Sequence, residues 1–179
     1  FAFVMSRTMP RARLGVPPGR TVAVVEELAR FAGFAGMVGG QANDMDGVQG
    51  DTTLEQLERI HLRKTSDLVT FSLRAGGHAA EANDAQLAAL GLYGRNIGLA
   101  FQIQDDILDL TGDAGKLGKP VQSDVRQGKV TYPYLLGLDE SRRRVAGLTE
   151  EAKEALLSAG FDNPGTLCDL ADWLASRDH

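Results

Sequence analysis

Apolar residues along this chain recur at three- and four-residue steps, and no stretch alternates apolar and polar positions as a strand would. The periodicity predicts helices over 21–44, 52–75, 84–110, 132–138, 149–158 and 166–175. Thr52 followed by Glu55 fits a capping box opening the second, and Gly76-Gly77 is expected to stop it. Asn83 or Asp84 can cap the third, which should end at Gly112. A loop rich in glycine and lysine occupies 113–129, and Asn163-Pro164-Gly165 separates the last two helices. The proline- and arginine-rich stretch 8–20 reads as a surface loop. Before it, FAFVMS reads as the tail of a helix already under way, and with Phe1 in first place the front of a longer protein is expected to be missing. The expected fold is all-α, a helical bundle forming one domain over 1–179.

Polar residues interrupt two of the apolar stripes. In the second helix Leu54, Leu57, His61, Lys64, Leu68, Phe71 and Ala75 share one face. An ammonium at such a position is costly unless an anion meets it or the side chain snorkels to the edge. Thr65 can bond back to its own helix. In GLAFQIQDDILDL, Asp105 lies only about 40° around the helix from Phe101, and Asp109 about 40° further. Gly91, Gly98 and Gln102 fall on the same border, where absent side chains leave room for a ligand. Asp106 is expected to point further towards solvent.

Two costs count against a purely structural origin for this acidic cluster. The three carboxylates repel one another. They also crowd the negative end of the helix dipole, each at about 0.3–1 kcal/mol. An acidic solvated face is the ordinary alternative. Oxygen ligands alone suit a hard cation such as magnesium bridging to phosphate. The loop AGKLGKPVQSDVRQGK then supplies Lys116, Lys119 and Lys129 to close over a diphosphate, and read alone it is equally a solvated loop. It has no Walker pattern. Gln41 and Asp44, three residues apart, can orient Lys64 or a metal-bound water, or simply form a polar helix end.

Composition narrows the setting. Among 179 residues, 43% are hydrophobic and 24% charged, as in a globular protein, and the net charge of −5 gives no surface for nucleic acid. No apolar run reaches the roughly 18–20 residues of a membrane span. One cysteine, Cys168, allows no internal disulfide and is compatible with a reducing, cytoplasmic compartment.

In order, GGQANDMD, ERIHLRKT, GLAFQIQDDILDLTGD, LGKPVQSD and GKVTYP resemble the trans-prenyl diphosphate synthases of the farnesyl and geranylgeranyl type, over roughly residues 2–138. DDxxD alone is a weak signal. Preceded by KT and FQ and followed by LGK and GK, it is a strong one. The resemblance implies an all-α bundle around a deep cavity, usually a homodimer. It implies magnesium-assisted ionisation of an allylic diphosphate, attack by the double bond of isopentenyl diphosphate, and proton loss. Asp105, Asp106 and Asp109 match the second aspartate-rich motif, with Asp105 the main metal ligand. Lys64 and Lys119 match the lysines gripping the departing diphosphate, and Lys129 a further phosphate contact. Thr65 and the backbone carbonyl of Gln102 match groups that steady the cation. Gln41, Asp44 and Asp124 match residues that orient these groups, Gln41 also reaching the diphosphate.

The family's first aspartate-rich motif and the arginine pair after it lie upstream of the matched region. Residues that bind isopentenyl diphosphate and limit product length lie there too. The chain is therefore expected to be inactive alone, as a fragment of the enzyme or as a regulatory subunit paired with a true synthase. A class I terpene cyclase fits less well. Asn43-Asp44, Gly47 and Asp51 imitate its metal triad, but Gly47 and Gly50 break the required helix and the segment precedes DDxxD. A head-to-head synthase would read Asp105 and Asp109 as DxxxD without predicting LGK and GK.

Overall fold

A computed structural model describes residues 15–45, 51–111 and 129–177, and every ordered element among them is helical. α1 (Pro18–Ala32) opens on a proline in its first turn, where the missing N–H is no loss, and buries Thr21, Val24 and Leu28. The expected single helix over 21–44 is broken at 33–36, and α2 (Met37–Met45) follows. Glycine costs about 1 kcal/mol in a helix interior, and this stretch carries Gly33 and Gly36 in close succession.

α3 (Leu54–His61) begins one residue later than expected. Thr53 and Gln56 form the reciprocal capping box, at 3.3 and 2.9 Å, in place of Thr52 and Glu55. The sequence offers both frames, and the structure uses the second. A π-helical turn, Leu62–Ser66, leads directly into α4 (Asp67–Ala79). This helix runs through Gly76-Gly77, because Gly77 packs under Leu87 and Leu90: a Cβ there would come within 2.7 Å of Leu90 Cδ1. Tertiary contact outweighs the local stop signal. α5 (Asp84–Thr111) starts at Asn83, which exchanges two hydrogen bonds with Gln86, at 2.9 and 3.0 Å.

After 129–131, α6 (Tyr132–Leu136) turns at Gly137 into α7 (Leu138–Ser158), and α8 (Gly165–Ser176) closes the chain. Only the second half of α7 was expected. Its buried row, Ser141, Val145, Leu148, Ala152 and Leu156, keeps helical spacing throughout. The arginine run 142–144 and the small polar Ser141 mask that row in a simple apolar scan.

α5 is the spine. Its largest contacts are with α7 on one side and with α4 and the π-turn on another; α1 and α2 lie outside those. Leu57, Ile60, Ile103, Ile107, Tyr132 and Leu148 form one core cluster, and Leu90, Tyr93, Ile97, Leu156 and Ala171 a second. A fully buried Leu or Ile side chain is worth about 1.5–3 kcal/mol, so this spine carries much of the stability. No helix among the described residues is long and apolar enough to cross a membrane.

Candidate active site

Two close approaches position the site. A Cβ on Gly40 of α2 would lie 2.4 Å from Lys64 N, and one on Gly98 of α5 would lie 2.5 Å from Ser66 Cα. Glycine at these positions lets α2 and α5 press on the π-turn from different directions. The π-turn also corrects the expected seam. An extra residue in a turn rotates everything after it by about 100°. Leu57, Ile60 and His61 are buried before it, whereas Ser66, Thr70, Gly77 and His78 take the buried row after it. Lys64 and Thr65 consequently leave the core and face the space beside α2 and α5.

There Lys64 Nζ donates to Asp44 Oδ2 at 2.7 Å, and Lys129 Nζ lies 2.9 Å from Asp44 Oδ1. One carboxylate thus bridges two ammonium groups drawn from positions 65 residues apart in sequence (129 minus 64). Burial pushes the Asp44 carboxyl up, but the hydrogen bonds and charges of Lys64 and Lys129 prevail and hold it below the usual range. Lys64 neither snorkels alone nor sits bare in an apolar face. Gln41, one turn earlier on α2, is exposed.

Thr65 Oγ1 donates to Gln102 Oε1 at 2.7 Å. Sequence reasoning pointed to the backbone carbonyl of Gln102, whereas the structure brings its side-chain amide to Thr65. Gln102 is three residues before Asp105 on the same side of α5, so the Lys64–Thr65 pair connects through one side chain to the acidic motif.

The three aspartates have different surroundings. The Asp105 side chain is 37% exposed and meets Arg177 Nη2 at 2.5 Å. The same nitrogen reaches Phe101 O at 3.1 Å, and the guanidinium lies over the Phe101 ring, 4.0 Å from its centre. Asp106 does not point to solvent. It is buried, and its Oδ2 accepts the Tyr132 N–H at 2.9 Å. Asp109 is buried as well. Both are drawn inward because the packing of α7 and α6 covers the flank of α5 that sequence periodicity alone left open. Lys119 and Asp124, expected to serve diphosphate and to orient it, lie outside the described residues.

Arg177 and the Tyr132–Asp106 bond were not foreseen. Each joins positions far apart in sequence, 72 and 26 residues, and neither leaves a local pattern. The Lys64–Asp44 pairing was legible, since a lysine on an apolar stripe calls for a nearby anion.

Beside this polar line an apolar cavity of about 460 Å³ lies between α4, α5 and α8. Thr65, Val69, Leu73, Ile97, Phe101 and Leu174 are among its walls, and nearly all of its lining is carbon. Its wall on α5 runs from Tyr93 to Phe101, eight helical steps or roughly 12 Å. The geometry combines two lysines on one carboxylate, a hydroxyl–amide pair whose hydroxyl residue, Thr65, also lines the apolar trough, and a partly open carboxylate three residues further along α5.

Among the described residues, no three acidic, histidine or cysteine side chains converge closely enough to hold a metal ion by themselves. A cation at Asp105 would have to share its coordination with ligand oxygens or water. The donor chemistry fits such a shared site, because an oxygen ligand there is open enough to take a cationic partner, and in this structure Arg177 fills that role.

Comparison with known proteins gives the chain its relatives. The chain is 41% identical over 164 residues to the farnesyl diphosphate synthase of Geobacillus stearothermophilus, covering 92% of this chain and 55% of that protein. It is 44% identical over 172 residues to a chloroplastic geranylfarnesyl diphosphate synthase of Leucosceptrum canum, covering 93% of this chain and 47% of that one. Among solved structures, the geranyltransferase of Helicobacter pylori complexed with magnesium and isoprenyl diphosphate superposes with a TM-score of 0.74 at 28% identity, covering 97% of this chain and 55% of that one. The chain spans about half the length of the relatives it matches. The polyprenyl synthetase family model matches residues 3–158, and the chain belongs to that family.

Proposed function

We propose that these residues form the diphosphate-gripping half of a trans-prenyltransferase site, which condenses isopentenyl diphosphate with an allylic diphosphate in the complete protein. The observation that carries this reading is the convergence of Lys64 and Lys129 on Asp44. Two ammonium groups held by one carboxylate are already part-buried and gathered at one place. A diphosphate arriving there gains their charge without having to gather them.

The chemistry of this chain's own groups follows. Lys64 and Lys129, with Lys119, hold the allylic diphosphate and stabilise negative charge that builds on its bridging oxygen as the carbon–oxygen bond breaks. The prenyl tail lies in the apolar trough along α4 and α5, which excludes water from the resulting allylic cation. Thr65 spends its proton on Gln102, so its oxygen lone pairs face the site. They stabilise the cation and stand ready to accept a hydrogen bond as a proton leaves. Asp105 would hold magnesium, with Asp106 and Asp109 close by on α5, and the ion would add positive charge beside the leaving diphosphate. Gln41, Asp44 and Asp124 orient the lysines and water around it.

Exposed apolar side chains on and between α1 and α2, namely Val22, Phe34, Val38 and Met45, support a homodimer through that face. The unpaired Cys168 fits a cytoplasmic setting.

The test uses the complete gene product, incubated with magnesium, isopentenyl diphosphate and dimethylallyl diphosphate, with products analysed by chain length. Products extended by five-carbon units are expected, together with a loss of turnover by orders of magnitude in Asp105→Ala. Absence of condensation by the complete protein, or an unaffected Asp105→Ala variant, refutes the reading.

A further inference from the structure

Asp106 carries the same charge as Asp105 but is used differently. Its Oδ2 accepts the backbone N–H of Tyr132 at 2.9 Å, and His61 Nε2 lies 3.5 Å from the same oxygen. Tyr132, which has no exposed surface, is held at two further points. Its hydroxyl donates to Glu58 Oε1 at 2.6 Å, and its ring stacks on His61 with centroids 5.8 Å apart. Burial and the Glu58 carboxylate both push the Tyr132 phenol up, so it stays a donor. α3 and α5 therefore fix one residue of the chain from three sides.

That residue lies three positions after Lys129. Three residues of extended backbone span at most roughly 10 Å, so a peg at Tyr132 confines Lys129 to a small region beside α5. Within that region the Lys129 ammonium lies 2.9 Å from Asp44. A carboxylate accepting a backbone N–H makes a charge-assisted bond about twice as strong as a neutral one, which suits a peg.

We infer that Asp106 is a positioning residue: it tethers the Tyr132 backbone and thereby holds Lys129 in place for a diphosphate, while Asp105 is the carboxylate left for a metal. This rests on the diphosphate reading of the Lys64–Lys129 pair. The two neighbouring aspartates, identical in the sequence motif, then have separable roles that one conservative substitution can tell apart. Asparagine keeps the acceptor oxygen for Tyr132 N–H and discards the charge a metal needs.

The experiment takes the whole chain as wild type, Asp106→Ala, Asp106→Asn, Asp105→Asn and Lys129→Gln. It reads hydrogen exchange of the Tyr132 amide by NMR, and inorganic pyrophosphate affinity with and without magnesium. Asp106→Ala is expected to speed Tyr132 exchange at least tenfold and to weaken metal-free pyrophosphate binding severalfold. Asp106→Asn restores most of both. Lys129→Gln copies the affinity loss while the amide stays protected, and adds little when combined with Asp106→Ala. Asp105→Asn loses only the magnesium-dependent gain. If Asp106→Asn loses that gain as Asp105→Asn does, Asp106 is a ligand and the inference is overturned. An amide equally protected in Asp106→Ala overturns it too. Should Asp106→Ala fail to fold, the Asp106→Asn result on the magnesium-dependent gain decides alone. Pyrophosphate that fails to bind the wild type removes the functional reading, and the exchange rates still decide the tether.

Discussion

Replacing Asp44 with alanine takes away the carboxylate that two ammonium groups share. Its side chain is 11% exposed, against 29% for Lys64 and 25% for Lys129. Removing one partner of a fully buried pair costs about 3–5 kcal/mol, while a solvated pair is worth at most about 1 kcal/mol. With lysines a quarter exposed, water screens part of the repulsion, and a cost of about 2 kcal/mol is expected. For a chain of this size that lowers the melting temperature by roughly 4–8 °C. The folded Asp44 carboxyl titrates below its unfolded range. Its stabilising contribution is therefore complete above about pH 4 and disappears as pH falls through the depressed folded value. Urea denaturation of wild type and Asp44→Ala at a series of pH values should show the full deficit at neutral pH, closing in acid. Pyrophosphate should stabilise the variant less than the wild type, because the two lysines are then no longer held together for it. Equal stabilities at neutral pH, or a deficit unchanged into strong acid, would refute the bridging role.

Arg177→Ala frees the Asp105 carboxylate, and if Arg177 competes with a cation there, magnesium affinity measured by thermal shift with pyrophosphate should rise by roughly fivefold, the equivalent of about 1 kcal/mol. Gly98→Ala forces a methyl to within 2.5 Å of Ser66 Cα and should cost about 1–3 kcal/mol in urea, with no dependence on added diphosphate. Tyr132→Phe removes the 2.6 Å bond to Glu58, for an expected loss of about 1–2 kcal/mol, while the Tyr132 backbone amide stays protected from exchange.

The helical character of the chain, the position of its longest helix and the chemistry of its acidic motif are all written in local order. Period and capping residues act within a few positions of themselves, so Asn83 with Gln86 and the row on α5 can be read directly. A lysine on an apolar stripe likewise announces that an anion must come near. What lies beyond is non-local. The π-turn at 62–66 rotates Lys64 and Thr65 out of the expected seam, and its wide turn is accommodated where α2 and α5 press on it at Gly40 and Gly98. Gly76-Gly77 stays helical since Leu87 and Leu90 lie against it. Above all, Asp105, Asp106 and Asp109 look alike in a motif, and their difference depends on what packs beside them. Arg177 reaches one, the Tyr132 backbone another, and α6 and α7 close over the flank. The chain alone specified which charges would gather at one helix end; the folded packing decided which of them stays open to a ligand.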